Sequence, residues 1–548
     1  MLNSYTKWNF NAYRFDTQSN ERSTWNRIPQ NQIIACLGYM GDMQWEEPLG
    51  KQGGNISLIP YVTGSASQDF ESKEPAMADW GIGGDAKIAV TSGLNLDLTV
   101  NPDFSQVEVD RQVTNLDRFE IFFPERRQFF LENADLFGTF GSRRINPFFS
   151  RRIGVGEDVN TGENIQNPIH YGARLSGKIN NNWRLGLLNM QTAKDEGNGL
   201  PSFNYSVAAV QRKVFSRSNV GLIFVNKERF GSDSTDLFNA YNRVAELDYN
   251  LASADNRWIG KAFLHRSMTP DHGDGQWAHG ARIRYQQREF AFGWNHQRVG
   301  EFYNAEVGFV PRLDFWRLNP SFQIFFYPSQ NSWINRFSIG GEVELFIDPD
   351  EGRTDHEYEL FADFQLADQS RLQIVAENRY TLLLDEFDPT GTSSLPLAEN
   401  TDYNYTALSL TYDSDRRKRF FYRLQPSIGQ YFNGQRYTMS GNLGYRFQPF
   451  GSIRINASYN YIELPEPYAT ASLLLIGPRI DLTFTKDLFF TTFIQYNEQI
   501  DNININARFQ WRFKPVSDFF IVYTDNYTTA FDVKSRAVVF KLTYWLNL

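Results

Sequence analysis

The chain has 548 residues and a formal net charge of −9, and aromatic side chains make up 16% of it. No apolar run approaches the roughly 18 residues that a membrane-spanning helix needs, which excludes a helical membrane protein. The acidic balance gives no indication of nucleic-acid binding. A single cysteine excludes an intramolecular disulfide framework and a multi-cysteine metal site.

Residues 1–32 are the first distinct segment, in which Trp8, Tyr13 and Trp25 stand among polar residues. This pattern predicts one or two strands of a small β domain, separate from a second unit at 33–548. The N-terminus lacks the continuous apolar segment of a signal peptide. Because an exported protein needs such a signal, we expect the sequence to be a fragment or to begin at a misassigned start.

The stretch 101–154 lacks the alternation of apolar and polar residues that surrounds it. Five phenylalanines lie between its charged side chains: Phe119, Phe122, Phe123, Phe129 and Phe130. Its charged residues include Asp103, Glu108, Asp110, Arg111, Asp117, Arg118, Glu125, Arg126, Arg127 and Glu132. The mixture is too charged for an ordinary core and too aromatic for an exposed linker. We therefore predict an internal, plug-like segment at 102–150, folded inside the rest of the protein, in which each charged side chain pairs with one of opposite charge.

Two other interpretations of this stretch stay open, a periplasmic docking segment and an active site. Two carboxylate pairs, Asp103 with Asp110 and Glu125 with Glu132, have the chemistry for acid–base catalysis. The neighbouring arginines, such as Arg126, would hold these carboxylates ionised, which favours a structural role over a general acid. We therefore assign no catalytic residue.

Two arginine pairs follow, Arg143 with Arg144 and Arg151 with Arg152. One hypothesis is that they line a lumen that accepts anionic solutes. The alternative is that they pair with acidic residues of the internal segment.

The rest of the chain alternates apolar and polar residues with the period of a β-strand. Clear examples are 281–286, 453–461 and 503–513, the last with eleven alternating residues. Runs of this length are typical of membrane-spanning strands. Short connections that alternate with longer ones, and a final strand at 537–548, predict an all-β fold, a large transmembrane antiparallel barrel of roughly 22–26 strands.

The alternation also predicts which side chains face the membrane. We expect Ile455, Ile505, Phe509 and Leu542 to point outward. We expect Arg454, Asn456, Asn506, Arg508 and Lys541 to point into the lumen.

Few other motifs indicate chemistry. The acidic loop 348–355 has clustered carboxylates but lacks the full twelve-residue calcium-loop pattern. A solvated loop is the favoured interpretation. The sequence contains no G-x-S-x-G, H-E-x-x-H or P-loop motif, so we predict no metal and no cofactor.

Three segments carry a family resemblance: NPDFSQVEVD at 101–110, LDRFEIFFPERRQFFLENADLF at 116–137 and PFFSRRIG at 147–154. With Glu306-Val307-Gly308-Phe309-Val310-Pro311-Arg312, they resemble the Bacteroidota outer-membrane family called domain of unknown function 5916. The resemblance implies a barrel preceded by a domain similar to family 9 carbohydrate-binding modules. Residues 1–32 would be the tail of that domain, and carbohydrate would be its partner. Some members are labelled membrane-associated hydrolases, without known catalytic residues.

These observations predict an outer-membrane barrel that passes or handles a solute, glycan-derived in the favoured version, through a plugged or constricted lumen. Outer-membrane lipid is its expected surrounding partner, and no nucleic acid is expected. One alternative is a glycan hydrolase embedded in the outer membrane. Another is a soluble all-β glycan-binding protein.

Overall fold

In a computed structural model of the protein, the described residues are 7–16, 21–26, 40–46, 55–72, 75–104, 110–159, 161–162, 164–231, 237–270, 273, 275–328 and 332–548. They form a closed antiparallel barrel of 24 strands, which confirms the predicted fold class. Two barrel strands are interrupted, one between Phe315–Leu318 and Ser321–Phe326, the other between Val533–Thr543 and Leu546–Asn547.

The other barrel strands, in chain order, are Ile56–Asp69, Met77–Thr91, Leu94–Val100, Ile169–Lys178, Trp183–Thr192, Ser202–Val214, Ser218–Phe230, Tyr241–Ala252, Trp258–Met268, Trp277–Gln286, Phe290–Val299, Ile334–Asp348, Gly352–Leu366, Arg371–Leu383, Thr401–Asp413, Phe420–Tyr431, Gly434–Phe447, Gly451–Glu463, Ala471–Thr485, Leu488–Asn497, Asn502–Lys514 and Ser517–Tyr527. Each pairs with its neighbours in sequence, and the last strand pairs with the first, from Ser535 opposite Asp69 to Asn547 opposite Ser57. Closure leaves the sheet without an open edge.

The two ends of the barrel differ in the length of their connections. At one end, the short-turn end, no connection between strands exceeds the seven residues 327–333. The opposite end, the long-loop end, carries the connections 101–168, 300–314 and 384–400. Because the strand number is even, the first strand begins and the last strand ends at the short-turn end.

The outer face of the barrel is apolar. Exposed aliphatic side chains recur at outward positions of neighbouring strands, for example Ile339, Leu360, Ile374, Leu408 and Ile428. On the last strand, Leu542 is exposed, whereas the adjacent Lys541 is 5% exposed and faces the lumen. Asn506 is likewise buried inside, hydrogen-bonded to Thr524.

Residues 101–168, here called the internal segment, connect two adjacent barrel strands at the long-loop end and fold back into the lumen. The segment holds two helices of four residues, Gln128–Leu131 and Asp135–Gly138, a 3₁₀ turn at Ser150–Arg152, and the paired strands Val155–Glu157 and Asn164–Gln166. No helix in the described ranges is long and apolar enough to cross a membrane.

Two boundaries differ from those predicted. The internal segment extends to residue 168 rather than 150, because a short hairpin precedes the next barrel strand. The barrel begins at Ile56 rather than at residue 33. Gly41–Gln44 pairs instead with Lys7–Phe10, and Tyr13–Asp16 pairs with Glu21–Thr24, in two small sheets outside the barrel.

Candidate functional site in the barrel lumen

The internal segment packs its apolar side chains against one half of the lumen wall. Buried residues of the segment form one core cluster with buried wall residues: Phe130, Leu136, Phe137, Phe140 and Phe148 with Leu188, Val207, Ile223 and Val244. The wall leaves space for these rings. A Cβ atom at Gly186 would lie 2.7 Å from the ring of Phe137, so this strand position accommodates the segment only without a side chain.

A buried ion network joins the segment to neighbouring strands. Arg174 is 2% exposed and pairs with Asp97 at 2.7 Å. It also donates to the carbonyl of Phe129 and stacks over the Phe129 ring at 5.0 Å. Lys87 pairs with Asp97 at 3.0 Å and with Glu132 of the segment. Each charge of this network therefore has an opposite partner, which burial requires.

A second cluster of buried polar side chains, on the wall and an inward loop, contacts the turn at Gly141. The N–H of Gly141 donates to Glu246 at 2.7 Å, and His265 lies 2.8 Å from the same carboxylate and 3.0 Å from the Tyr303 hydroxyl. Glu246, His265 and Tyr303 are each at most 1% exposed. Gly141 has a φ of +59°, and a Cβ there would lie 2.1 Å from the Ile145 carbonyl oxygen, so only glycine fits.

Glu125 organises the segment internally. It pairs with Arg127 at 2.8 Å and accepts a hydrogen bond from the Ser150 hydroxyl at 2.6 Å. Burial by itself would raise the pKa of the Glu125 carboxyl, but the bonds from Arg127 and Ser150 outweigh it and leave the pKa below its ordinary value. An ionised carboxylate of this kind suits anchoring rather than proton donation.

Several other predicted residues pair within the segment. Asp110 contacts both Arg126, at 3.1 Å, and Arg151. Arg152 pairs with Glu120 at 2.5 Å. These contacts correspond to the alternative interpretation of the second arginine pair, pairing with acidic residues of the segment.

A further group of predicted residues reaches the wall. Arg118 pairs with Asp355, and Arg144 pairs with Glu344 at 2.8 Å. The carbonyl of Asp103 accepts a hydrogen bond from Lys541 at 2.6 Å.

The remaining predicted residues have other surroundings. Asp117 is exposed and accepts from the N–H of Arg118. Arg111 lines a cavity of about 200 Å³ together with Arg126. Arg143 stacks over Phe122 at 5.7 Å. Glu108 lies outside the described residues.

Two of the stretches that carried the family resemblance, 147–154 and 306–312, meet in the structure. The backbones of Asn146 and Phe309 exchange two hydrogen bonds, of 3.0 and 2.9 Å, and the N–H of Phe149 donates to Val307 at 2.6 Å. A Cβ at Gly308 would lie 2.3 Å from the Asn146 carbonyl oxygen, so the approach requires glycine. The connection 300–314 therefore folds inward and supports the internal segment.

The opposite half of the lumen is left open as a large cavity of about 1040 Å³. Arg118, Asp117 and Phe119 of the segment form one side. The wall contributes hydroxyl, amide and aromatic groups: Thr381, Tyr405, Ser409, Thr411, Gln425, Ser427, Tyr431, Thr438, Ser440 and Asn460. Charged wall residues of both signs line it as well: Glu344, Asp355, Glu357, Arg379 and Arg436. Hydrogen-bonding groups with aromatic rings suit a polar ligand surface.

In the structure, Asp314 lies beside the acidic loop 348–355 at the long-loop end. Asp314, Asp348 and Asp350 place carboxylate oxygens within 4.8 Å of one another. Arg298 already pairs with Asp314 at 2.8 Å, and the Asp348 side chain accepts from the N–H groups of Asp350 and Glu351. These bonds account for the cluster as a capped turn.

Sequence reasoning missed the wall partners of the segment, namely Lys87, Asp97, Arg174, Glu246 and Arg312. Each lies on a barrel strand or an inward loop, far in sequence from the residue it contacts. No local signal in the sequence marked them as anchors.

Comparison with known proteins identifies one family. The family model described as Domain of unknown function (DUF5916) matches residues 55–479. No curated protein matches the chain.

Among solved structures, the siderophore receptor PirA from Pseudomonas aeruginosa is 9% identical, with a TM-score of 0.44 over 92% of this chain and 82% of that one. PirA from Acinetobacter baumannii is 9% identical, with a TM-score of 0.43 over 93% and 82%. The FrpB iron transporter from Neisseria meningitidis is 9% identical, with a TM-score of 0.43 over 70% and 80%. At these scores the likeness says nothing about what this chain binds.

Proposed function

The protein belongs to the DUF5916 family, whose model matches most of its length, and for this member we propose an outer-membrane barrel that passes or handles a polar solute through a constricted lumen. The observation that carries the proposal is the internal segment, which Lys87 and Arg174 of the wall and an apolar core hold on one side and a polar cavity borders on the other. Barrels of more than about 16 strands leave a lumen wide enough for such an arrangement.

The membrane location is supported by the outer face. Exposed aliphatic residues such as Leu360 and Ile428 form an apolar surface that would be costly in water, and lipid is the solvent that favours it. The first barrel strand begins and the last barrel strand ends at the short-turn end. In bacterial outer-membrane barrels, the end with the short turns faces the periplasm.

A glycan-derived solute is the version of this function that we favour. The large cavity offers Gln425, Ser440 and Asn460 as hydrogen-bonding groups beside the rings of Tyr405 and Tyr431. Sugars present hydroxyl groups and apolar ring faces, which such a lining complements.

Planar-bilayer conductance tests the constriction. Purified full-length protein should show little steady current, whereas a variant lacking 105–140 should show large open channels. A control that lacks 194–199, from another connection at the long-loop end, should behave like the full-length protein. Large currents from the intact protein would refute the constriction.

The membrane face is tested by a pair of neighbouring substitutions. Phe509 shares its face with the exposed Trp511 and Phe513, whereas Arg508 alternates to the lumen side. Phe509→Arg should cost about 2–4 kcal/mol of folding free energy in the membrane, and Arg508→Gln much less. Equal assembly yields in lipid vesicles would contradict a membrane-spanning barrel.

The solute class is tested by titrating a neutral oligosaccharide, maltotriose, into the detergent-solubilised protein. Gln425→Ala should weaken binding several-fold, because a ligand hydroxyl group would lose a partner. Gln435→Ala, on the outer face beside Tyr437, should leave binding unchanged. Absence of binding to the unsubstituted protein would remove the neutral glycan from the proposal.

A further inference from the structure

A second lumen cavity, of about 610 Å³, lies between the internal segment and the strands from Tyr241 to Phe326. We call it the cationic cavity. Four adjacent strands contribute one lumen-facing residue each to a continuous row along its wall: Asn250, Lys261, Arg282 and Asn295. Lys261 lies early in a strand that starts at the short-turn end, so the row is nearer that end of the lumen.

The lining of this cavity is charged with one sign only. Five cationic side chains border it: Arg143, Arg144, Lys261, Arg282 and Arg317. No carboxylate in the described part of the chain is among its lining residues. The amide groups of Asn250, Asn295 and Gln297 complete the polar surface.

Carboxylates behind the lining neutralise only part of this charge. Lys261 pairs with Asp248 at 2.8 Å. Arg144 and Arg317 share one carboxylate, Glu344, at 2.8 and 2.5 Å.

The other two cations have no carboxylate partner among the described residues. Arg143 stacks over Phe122, and Arg282 is exposed to the lumen. Two carboxylates, Asp248 and Glu344, thus pair with three of the five cations, and neither of these carboxylates lines the cavity.

Three residues border both the cationic cavity and the large cavity: Phe122, Arg143 and Arg144. A solute that moved from one cavity to the other would pass this arginine pair. The arginine pair thus marks the boundary between a mixed-charge compartment and a cationic one.

From this lining we infer that the cationic cavity is a binding site for an anionic solute with two or more negative charges, such as a polycarboxylate or a phosphorylated compound. Guanidinium groups bind carboxylate and phosphate oxygens through paired, charge-assisted hydrogen bonds. Cations gathered in one compartment repel one another, and a bound anion relieves that repulsion. The inference goes beyond the proposed function, because it assigns an anion site to a second cavity of the same lumen, and it rests on the lumen being the solute path.

Binding of citrate, a tricarboxylate probe, to the full-length protein in detergent tests the site by calorimetry. Citrate should bind at low ionic strength and weaken as salt screens the charges, whereas neutral sucrose should not compete with it. The double variant Arg143→Gln/Arg282→Gln should lose roughly tenfold or more in affinity, since it removes two charged hydrogen-bond donors.

Two controls separate the site from general charge and from misfolding. Arg257→Gln changes the net charge in the same direction in an exposed turn, where Arg257 pairs with Asp255 at 3.6 Å, and should bind citrate like the unsubstituted protein. If the double variant does not fold, the single variant Arg282→Gln, at a lumen-exposed position, replaces it in the test. Its loss of affinity for citrate should be smaller than the loss expected of the double variant.

Three results would overturn the inference. The first is that citrate does not bind to the unsubstituted protein. The others are that the Arg143/Arg282 variants bind citrate as tightly as the unsubstituted protein, or that Arg257→Gln loses as much affinity as they do. Because binding is measured in detergent, it does not depend on conductance. Failure of the proposed constriction and failure of this site are therefore separate outcomes.

Discussion

The two halves of the lumen hold the internal segment in different ways. Against the strands from Trp183 to Gln286, the segment buries Phe137 and Phe140 in a continuous apolar core. Against the strands from Gly352 to Glu463, it leaves the large cavity, and its contacts are ion pairs and a few backbone bonds. Apolar packing therefore positions the segment on one side, while the polar side stays accessible to a solute.

The polar half has an apolar contact at its rim. There, Leu116 of the segment packs on a small cluster that includes Leu383, Tyr431 and Phe432. The connection 384–400 covers the same cluster through Leu397 and Phe387. The segment therefore touches both walls, but its buried aromatic side chains lie mainly on the first.

The largest effect is expected from a buried ring of the apolar half. Phe137→Ala should cost about 3–5 kcal/mol, because it removes a large buried side chain and leaves a cavity beside Gly186. Phe119→Ala, at the half-buried ring beside the large cavity, should cost clearly less. Urea unfolding of both variants in lipid vesicles measures the difference, and equal losses would remove the distinction between the two halves.

A smaller but similar contrast is expected between two arginines. Arg174→Ala should cost about 3 kcal/mol, because it leaves the buried Asp97 with Lys87 as its remaining cation. Arg118→Ala should cost about 1 kcal/mol or less, since Arg312 still pairs with Asp355 at 2.6 Å and the site is partly solvated. The same unfolding assay decides, and a greater loss for Arg118→Ala would contradict the assignment of the main anchor.

The smallest effect is expected from protonation of Glu125 at acidic pH. The folded-state pKa of Glu125 lies below its ordinary value, so its stabilising contribution is complete above about pH 4.3 and is lost as the pH falls through the folded value. Channel current should therefore rise as the bilayer chamber is acidified from about pH 4.3 downward. Glu125→Gln should show a weaker acid response, whereas Glu120→Gln, at the exposed pair with Arg152, should keep it. Identical acid profiles for both variants would exclude Glu125 as the sensor.

Local periodicity predicted the architecture well. The alternation at 503–513 corresponds to the strand Asn502–Lys514, and the final strand closes the barrel as expected. The count of 24 strands falls within the predicted 22–26. The absence of alternation in 101–154 marked the stretch that leaves the sheet.

The partners of that stretch were beyond sequence reasoning. The arginine pairs illustrate the limit, because Arg151 and Arg152 pair within the segment, Arg144 reaches the wall and Arg143 stacks over Phe122. Two pairs of adjacent arginines in similar sequence contexts gave no local reason for three different surroundings. The inward fold of 300–314 was equally invisible, since its contacts with Asn146 and Phe149 are backbone bonds.

The sequence by itself determined the strands, their inward and outward faces and the membership of the family, because side-chain alternation is a property of consecutive residues. Only the tertiary structure decided which half of the lumen is packed and which is open. That choice depends on pairs such as Arg174 with Phe129 and Gly186 with Phe137, which are distant in the chain and meet only when the barrel closes around the segment.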